Sequence, residues 1–186
     1  MITKISLSGQ AGSGKSTVGK IIAQKLGYEF ISVGNFVRKL AREQYNMDVY
    51  EFQKYLDQHP EIDNSIDERF AKYCNGSQKL VIDYRLAFRF VKDCFHVYID
   101  VDLDEAVRRL YEMQRTDIQG KSKEEVKKML KERNNRTRNR FKQIYGVDID
   151  DTSNYDFVIK THKDITPEQI AEKILSEYKQ FQTVKI

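Results

Sequence analysis

Residues Gly9-Gln10-Ala11-Gly12-Ser13-Gly14-Lys15-Ser16 satisfy the spacing G-x-x-x-x-G-K-[ST], and they lie between a strand-like run, Ile2 to Ser8, and a helical pattern, Ser16 to Leu26. That context constrains the fold, because a glycine-rich turn works as a phosphate cradle only between a buried strand and the amino terminus of a helix. There, successive backbone N–H groups face inward and the helix end favours negative charge. The motif predicts a site for the β- and γ-phosphates of a nucleoside triphosphate built from Gly9 through Ser16 with Thr17. Lys15 is the catalytic point charge at the transferring group, and the Ser16 hydroxyl is placed to bind Mg²⁺.

Helical and strand-like periods alternate along the rest of the chain. The apolar face Val18, Ile21, Ile22 and Leu26 is closed by Gly27, and Tyr28 to Val33 reads as a second strand. Helical patterns occupy Phe36 to Tyr45, Asp48 to Gln58 and Glu61 to Cys74, with His59-Pro60 separating the last two. Lys79 to Ile82 and Phe95 to Val101 are short apolar runs of the kind that fill a sheet covered on both faces, and each precedes a helical stretch. Asp102 to Gln114 is helical, Ser122 and Glu125 form a capping-box pattern, and Tyr155 to Lys160 supplies a last strand. Thr166-Pro167 starts a terminal helix that reaches about Phe181. The fold class predicted is α/β, a three-layer sandwich with a parallel sheet, formed by residues 1 to 186 as a single domain.

Composition narrows the setting. Hydrophobic residues are 40% and charged residues 32%, which suits a packed core under a solvated surface rather than disorder. No apolar run approaches the roughly 18 residues that cross a bilayer, so no membrane partner is expected. The amino terminus lacks the signature of an export signal, which points to the cytoplasm. Cys74 and Cys94 have no CxxC or His partner at metal-ligand spacing and read as reduced, partly buried thiols. His59, His96 and His162 are scattered and carry no assigned chemistry.

Of the formal charge of +4, the stretch Lys121 to Lys142 holds ten Lys or Arg against three Glu. Such concentration suggests either an anionic partner for one segment or a solvated basic helix pair. Nucleic acid is disfavoured as that partner, since no aromatic residue for base stacking lies between Tyr111 and Phe141. Small nucleotides fit better, and no feature specifies an oligomeric state.

The loop alone serves switches, motors and kinases. Short length and the absence of the base-recognition tetrapeptide [NT]KxD favour a small kinase. Phosphoryl transfer needs forked donors to clamp its anions. Arg38 follows strand two and Arg85 follows strand three, where ligands of a parallel sheet bind, while Arg115, Arg133, Arg136, Arg138 and Arg140 flank or fill the basic segment. Asp83 either supports the metal beside Ser16 or caps the next turn, and Asp102 and Asp104 read as helix caps.

Beyond the loop, Ile31-Ser32-Val33-Gly34-Asn35-Phe36-Val37-Arg38 resembles IS-x-G-D-x-x-R, and Val81-Ile82-Asp83-Tyr84-Arg85-Leu86-Ala87 is similar to V-x-E-[GS]-R-L-A. Glu51 to Tyr55 and His59 to Asp63 resemble EF-x-x-Y and DPEID. Arg140 to Asp151 is similar to RYK-x-IYGIDIDD, and Tyr155 to Ile159 to YDLVI. Together these cover nearly the whole chain and resemble the short cytidylate kinases of archaea, within the nucleoside monophosphate kinase group.

The resemblance implies ATP·Mg²⁺ as donor, CMP or dCMP as acceptor, and a nucleoside monophosphate kinase-like fold with a helical lid. Asn35, Arg38 and Arg85 would then bind the acceptor, residues 34 to 75 would form the acceptor-binding portion, and residues 115 to 142 the lid. Arg133 and Arg140 fall on the family's lid arginines and Arg115 on the ATP side. The chain departs from the pattern at Asn35, where the family has Asp, at Asp83, where it has Glu, and at Tyr84, where it has a small residue. Asn134 and Asn135 replace acidic residues. The lid's apolar positions, chiefly Ile118, Val126, Met129 and Leu130, are few, which predicts a mobile segment ordered by bound phosphates.

Overall fold

The computed structural model describes residues 2–113 and 118–184, leaving aside the side chains of residues 49, 50 and 184. In chain order its elements are β1 (Lys4–Ser8), α1 (Lys15–Leu26), β2 (Glu29–Ser32), α2 (Val33–Tyr45), α3 (Val49–Gln58), α4 (Pro60–Gly76) and β3 (Leu80–Asp83). Then follow α5 (Ala87–Phe90), β4 (Phe95–Val101), α6 (Leu103–Glu112), α7 (Lys123–Tyr145), a 3₁₀ turn (Thr152–Asn154), β5 (Phe157–Thr161) and α8 (Pro167–Val184). The sheet is parallel throughout, in the order β2-β3-β1-β4-β5.

Strand alternation divides the core between the two faces of this sheet. In β3, Val81 packs into a cluster with Ile5, Leu7, Ile22, Ala171 and Ile174, which joins the sheet to α1 and α8. Its neighbours Leu80 and Ile82 point the other way, into a cluster with Phe70, Cys74, Tyr84 and Phe141 from the opposite helical layer. Burial on both faces explains why β3 and β4 read as continuous apolar runs. The three-layer arrangement is as the sequence predicts. Cys74 and Cys94 are both free and buried, and burial pushes each thiol up to about 12.

Local stop and start signals act as their chemistry requires. Gly27, at φ 65°, ends α1 with its N–H on the carbonyls of Ala23 and Gln24. Pro60 occupies the first turn of α4 and so breaks it from α3. The Ser122–Glu125 capping box forms, with Glu125 N–H donating to Ser122 Oγ at 3.2 Å and Ser122 N–H donating to the Glu125 carboxylate at 2.7 Å. Thr166 and Gln169 make the equivalent pair at the start of α8.

Two readings need correction. Asp102 holds the capping position of α6 but its side chain makes no capping bond. Asp104 instead forms an ion pair with Lys127 of α7 at 2.6 Å. The apolar positions of the basic segment are also better buried than their number suggests. Ile118, Val126 and Leu130 are at most 4% exposed and pack with Ala106, Val107 and Leu110 of α6. Each buried side chain contributes about 1.5–3 kcal/mol, against a few tenths per like-charged surface pair, so burial outweighs the repulsion of this basic stretch. Among the described residues, no helix is long and apolar enough to cross a membrane.

Candidate nucleotide site

The sheet order places the loop after β1 between the carboxyl ends of β3 and β4, the position at which open parallel sheets bind ligands. Two glycines in it answer to measurable crowding. Gly9 has φ 139° and a Cβ there would stand 2.3 Å from the carbonyl oxygen of Ile99, while a Cβ on Gly12 would come within 2.8 Å of Ala106. The loop therefore wraps tightly only because both side chains are missing.

Lys15 curls over the loop and donates to the carbonyls of Gly9 and Gln10, both at 2.8 Å, and to Ser13 Oγ at 3.2 Å. Burial pushes its ammonium down to about 7, assisted by the positive charges of Arg85 and Arg133 and opposed by Asp83. Arg85 is likewise lowered to about 10, by burial and then by Arg133, against Asp83, Asp150 and Tyr98. Lys15, Arg85 and Arg133 thus act on one another around the loop, although they come from positions far apart in sequence. Three mutually repelling cations around one loop suit a polyanion.

Arg85 is held by the strand below it. Ser8, buried at the end of β1, donates to the carbonyls of Tyr84 and Arg85 at 3.2 and 3.3 Å, fixing the turn that presents the guanidinium. Asp83, in register with Leu7 of β1 and Ser32 of β2, accepts a hydrogen bond from the Ser16 hydroxyl, which couples the two residues predicted to face the metal. Among the described residues no group of three or more His, Cys, Asp or Glu could hold a metal ion by itself. Two hard oxygen donors at a phosphate cradle do fit Mg²⁺, which keeps several waters and takes other ligands from phosphate. Arg38 is exposed on α2 and donates to the Asn35 side-chain oxygen one turn earlier, so the residue that departs from the family pattern orients the arginine. Gln10 and Ala11 contact α7, Gly14 opens α1, Thr17 is exposed in its first turn, and Arg115 lies outside the described residues.

The two arginines expected in a lid part company. Arg133 reaches the electrostatic surroundings of Lys15, whereas Arg140 pairs through Nε with the buried carboxylate of Asp63 on α4 at 3.2 Å. Nearby, Tyr84 and Tyr145 donate to opposite oxygens of Asp67 at 2.8 and 2.7 Å. Arg138 is occupied by Asp148, with bonds of 2.9 and 3.1 Å from Nε. Arg140 and Tyr145 thus tie the second half of α7 to α4, and Arg138 ties it to the segment that follows the helix.

One residue escapes a motif search. Arg109 of α6 donates to the carbonyl of Ser13 at 3.2 Å and to that of His162 at 3.4 Å, and Glu105 holds it at 2.7 Å. Anchoring the Ser13 carbonyl outward leaves the following N–H, that of Gly14, turned toward the cradle. Its only sequence signal is the i,i+4 spacing of Glu105 and Arg109, which surface helices also show.

Comparison with known proteins agrees with this geometry. The cytidylate kinase-like family matches residues 4–163. A cytidylate kinase from Thermococcus kodakarensis is 38% identical over 161 residues, covering 84% of this chain and 78% of that protein. A protein of Lacinutrix mariniflava named S-adenosylmethionine-dependent nucleotide dehydratase is 44% identical over 184 residues, covering 99% of this chain; the chain spans only 37% of that relative's length. Among solved structures, shikimate kinase from Acinetobacter baumannii in complex with shikimate has a TM-score of 0.59 at 17% identity, covering 95% of this chain and 92% of that one, a likeness of fold. The phosphate cradle, the parallel sheet behind it and the match over most of the chain establish that this protein belongs to the cytidylate kinase-like family.

Proposed function

We propose that the chain transfers the γ-phosphoryl group of ATP to the phosphate of a pyrimidine nucleoside monophosphate, CMP or dCMP, giving ADP and the diphosphate. The observation that carries this reading is the glycine-rich loop between β1 and α1, with Lys15 bonded over it and Ser16 joined to Asp83 at its end. An oxygen of the acceptor phosphate attacks the γ-phosphorus, the bond from that phosphorus to the β–γ bridging oxygen breaks, and the electron pair leaves with ADP. The acceptor oxygen is already ionised near neutral pH, so no general base is needed, and catalysis rests on positioning and charge stabilisation. Lys15 and the backbone N–H groups hold the donor phosphates, Arg38 and Arg85 hold the acceptor phosphate, and Arg133 meets charge that develops between them. Ser16 and Asp83 would hold Mg²⁺, which when bound offsets phosphate charge. Arg140 acts here through Asp63 to set the acceptor side against α7, with residues 34 to 75 as acceptor portion and residues 115 to 142 as lid.

An acceptor panel of CMP, dCMP, UMP, AMP and GMP with coupled ADP detection tests this. Turnover confined to the pyrimidine monophosphates is expected, and ADP release with no acceptor preference would defeat it. The Lacinutrix relative motivates a second reading, in which a kinase of this kind supplies phosphorylated nucleotide to a nucleotide dehydration. Adding S-adenosylmethionine to the same panel, with mass analysis of the nucleotides, separates the two. Phosphorylation without loss of water is the outcome that assigns only the kinase step to this chain.

A further inference from the structure

Asn134 follows Arg133 on α7, and its side-chain amide uses both ends on the phosphate loop. Oδ1 accepts from the backbone N–H of Ala11 at 3.1 Å, and Nδ2 donates to Gln10 Oε1 at 3.2 Å. Two bonds to consecutive loop residues fix the azimuth of the helix as well as its distance, which one bond would not do. The contact borders an apolar seam, because Ala11, 8% exposed, packs in the same cluster as Leu110, Val126 and Leu130. The helix is thereby held to the loop by burial on one side and by the amide on the other.

An amide makes both bonds at once, whereas the acidic residue it replaces could accept from Ala11 but could not donate to Gln10. We propose that Asn134 is a positioning residue whose amide pins α7 to the phosphate loop and so holds Arg133 at the site of phosphoryl transfer. This rests on the phosphotransferase reading above. Misplacing a clamping group by an ångström costs up to about a hundredfold in rate, so the effect on turnover is measurable.

The test has two independent arms on the intact chain. In the first, amide exchange of Ala11 is followed by NMR in nucleotide-free protein; Asn134→Ala accelerates it about tenfold or more, while Asn139→Ala, an exposed change on the same helix, leaves it alone. In the second, Asn134→Ala lowers kcat about tenfold or more with acceptor KM within about threefold, and costs little further in an Arg133→Ala background. Asn134→Leu, similar in volume and unable to hydrogen-bond, replaces the alanine variant in both arms with the same expected results should that variant unfold. Equal losses from Asn134→Ala with and without Arg133 would overturn the proposal, as would unchanged Ala11 exchange. A wild-type protein that phosphorylates no acceptor would instead defeat the functional reading, and the exchange arm alone then decides whether the pin exists.

Discussion

The hydroxyl of Ser16 donates a hydrogen bond to the carboxylate of Asp83, joining the first turn of α1 to the end of β3. Parallel pairing of β1 with β3 makes the contact, since Asp83 lies opposite Leu7, two residues before the loop begins. Asp83→Asn keeps an oxygen for Ser16 but removes the charge that would face a divalent ion. Mg²⁺ should then strengthen ADP binding about tenfold less in the variant than in the wild type, read by calorimetry across a Mg²⁺ titration. Identical Mg²⁺ dependence in the two proteins would remove Asp83 from the metal side of the site.

Lys15, lowered to about 7 by burial and by Arg85 and Arg133, is about half neutral at pH 7 before nucleotide arrives. Phosphates raise it again, so binding takes up a proton whenever the pH lies above 7. ATP affinity should fall as pH rises from 7 to 9, by up to about tenfold per unit. Calorimetry in buffers of different ionisation enthalpy should register the proton uptake. In Lys15→Met both signals disappear and turnover falls by orders of magnitude while the fold survives. Proton uptake that persists in the methionine variant would assign it to another group.

Arg38 and Arg85 follow adjacent strands, and Asn35 and Ser8 respectively hold them in place. Replacing either with alanine removes a forked phosphate contact. Acceptor KM should rise about tenfold or more while the directly measured ATP dissociation constant moves less than about threefold. Comparable losses on the donor side would reverse the assignment.

What was legible in the sequence follows from how local each determinant is. The loop, the Ser122 capping box and the Pro60 break are set by residues within one turn of each other, so chain order alone reveals them. The alternating burial of β3 is equally local, since Leu80, Val81 and Ile82 need only a sheet with two covered faces. Arg109 and Asn134 are not legible in this way, because their partners lie 96 and 123 residues distant and a backbone carbonyl or N–H has no sequence identity. Arg140 shows the converse. Its motif position singles it out, yet the packing of α7 against α4 pairs it with Asp63, and only the fold makes that partner known.

The same packing sets a pH dependence of stability. Asp67, 5% exposed, is raised to about 6 by burial, which outweighs the hydrogen bonds from Tyr145 and Tyr84; Asp63 adds to the rise and Arg140 opposes it. In the unfolded chain the same carboxyl titrates near its ordinary value of 3.8. Between these values the folded protein binds the proton that the unfolded chain has released, so this group's contribution is fully present below about pH 4 and is lost as pH rises through about 6. Carboxylates held low, such as Asp148 beside Arg138, act with the opposite sign at lower pH. Comparison with a variant isolates the one group from the rest. Asp67→Asn cannot titrate, so relative to the wild type it should gain stability as pH rises from 4 to 7, by up to about 3 kcal/mol. Urea unfolding at half-unit pH steps measures the difference at equal m-values. A difference that stays flat over this range would mean that Asp67 is ionised in both states, with the two tyrosine hydroxyls offsetting its burial.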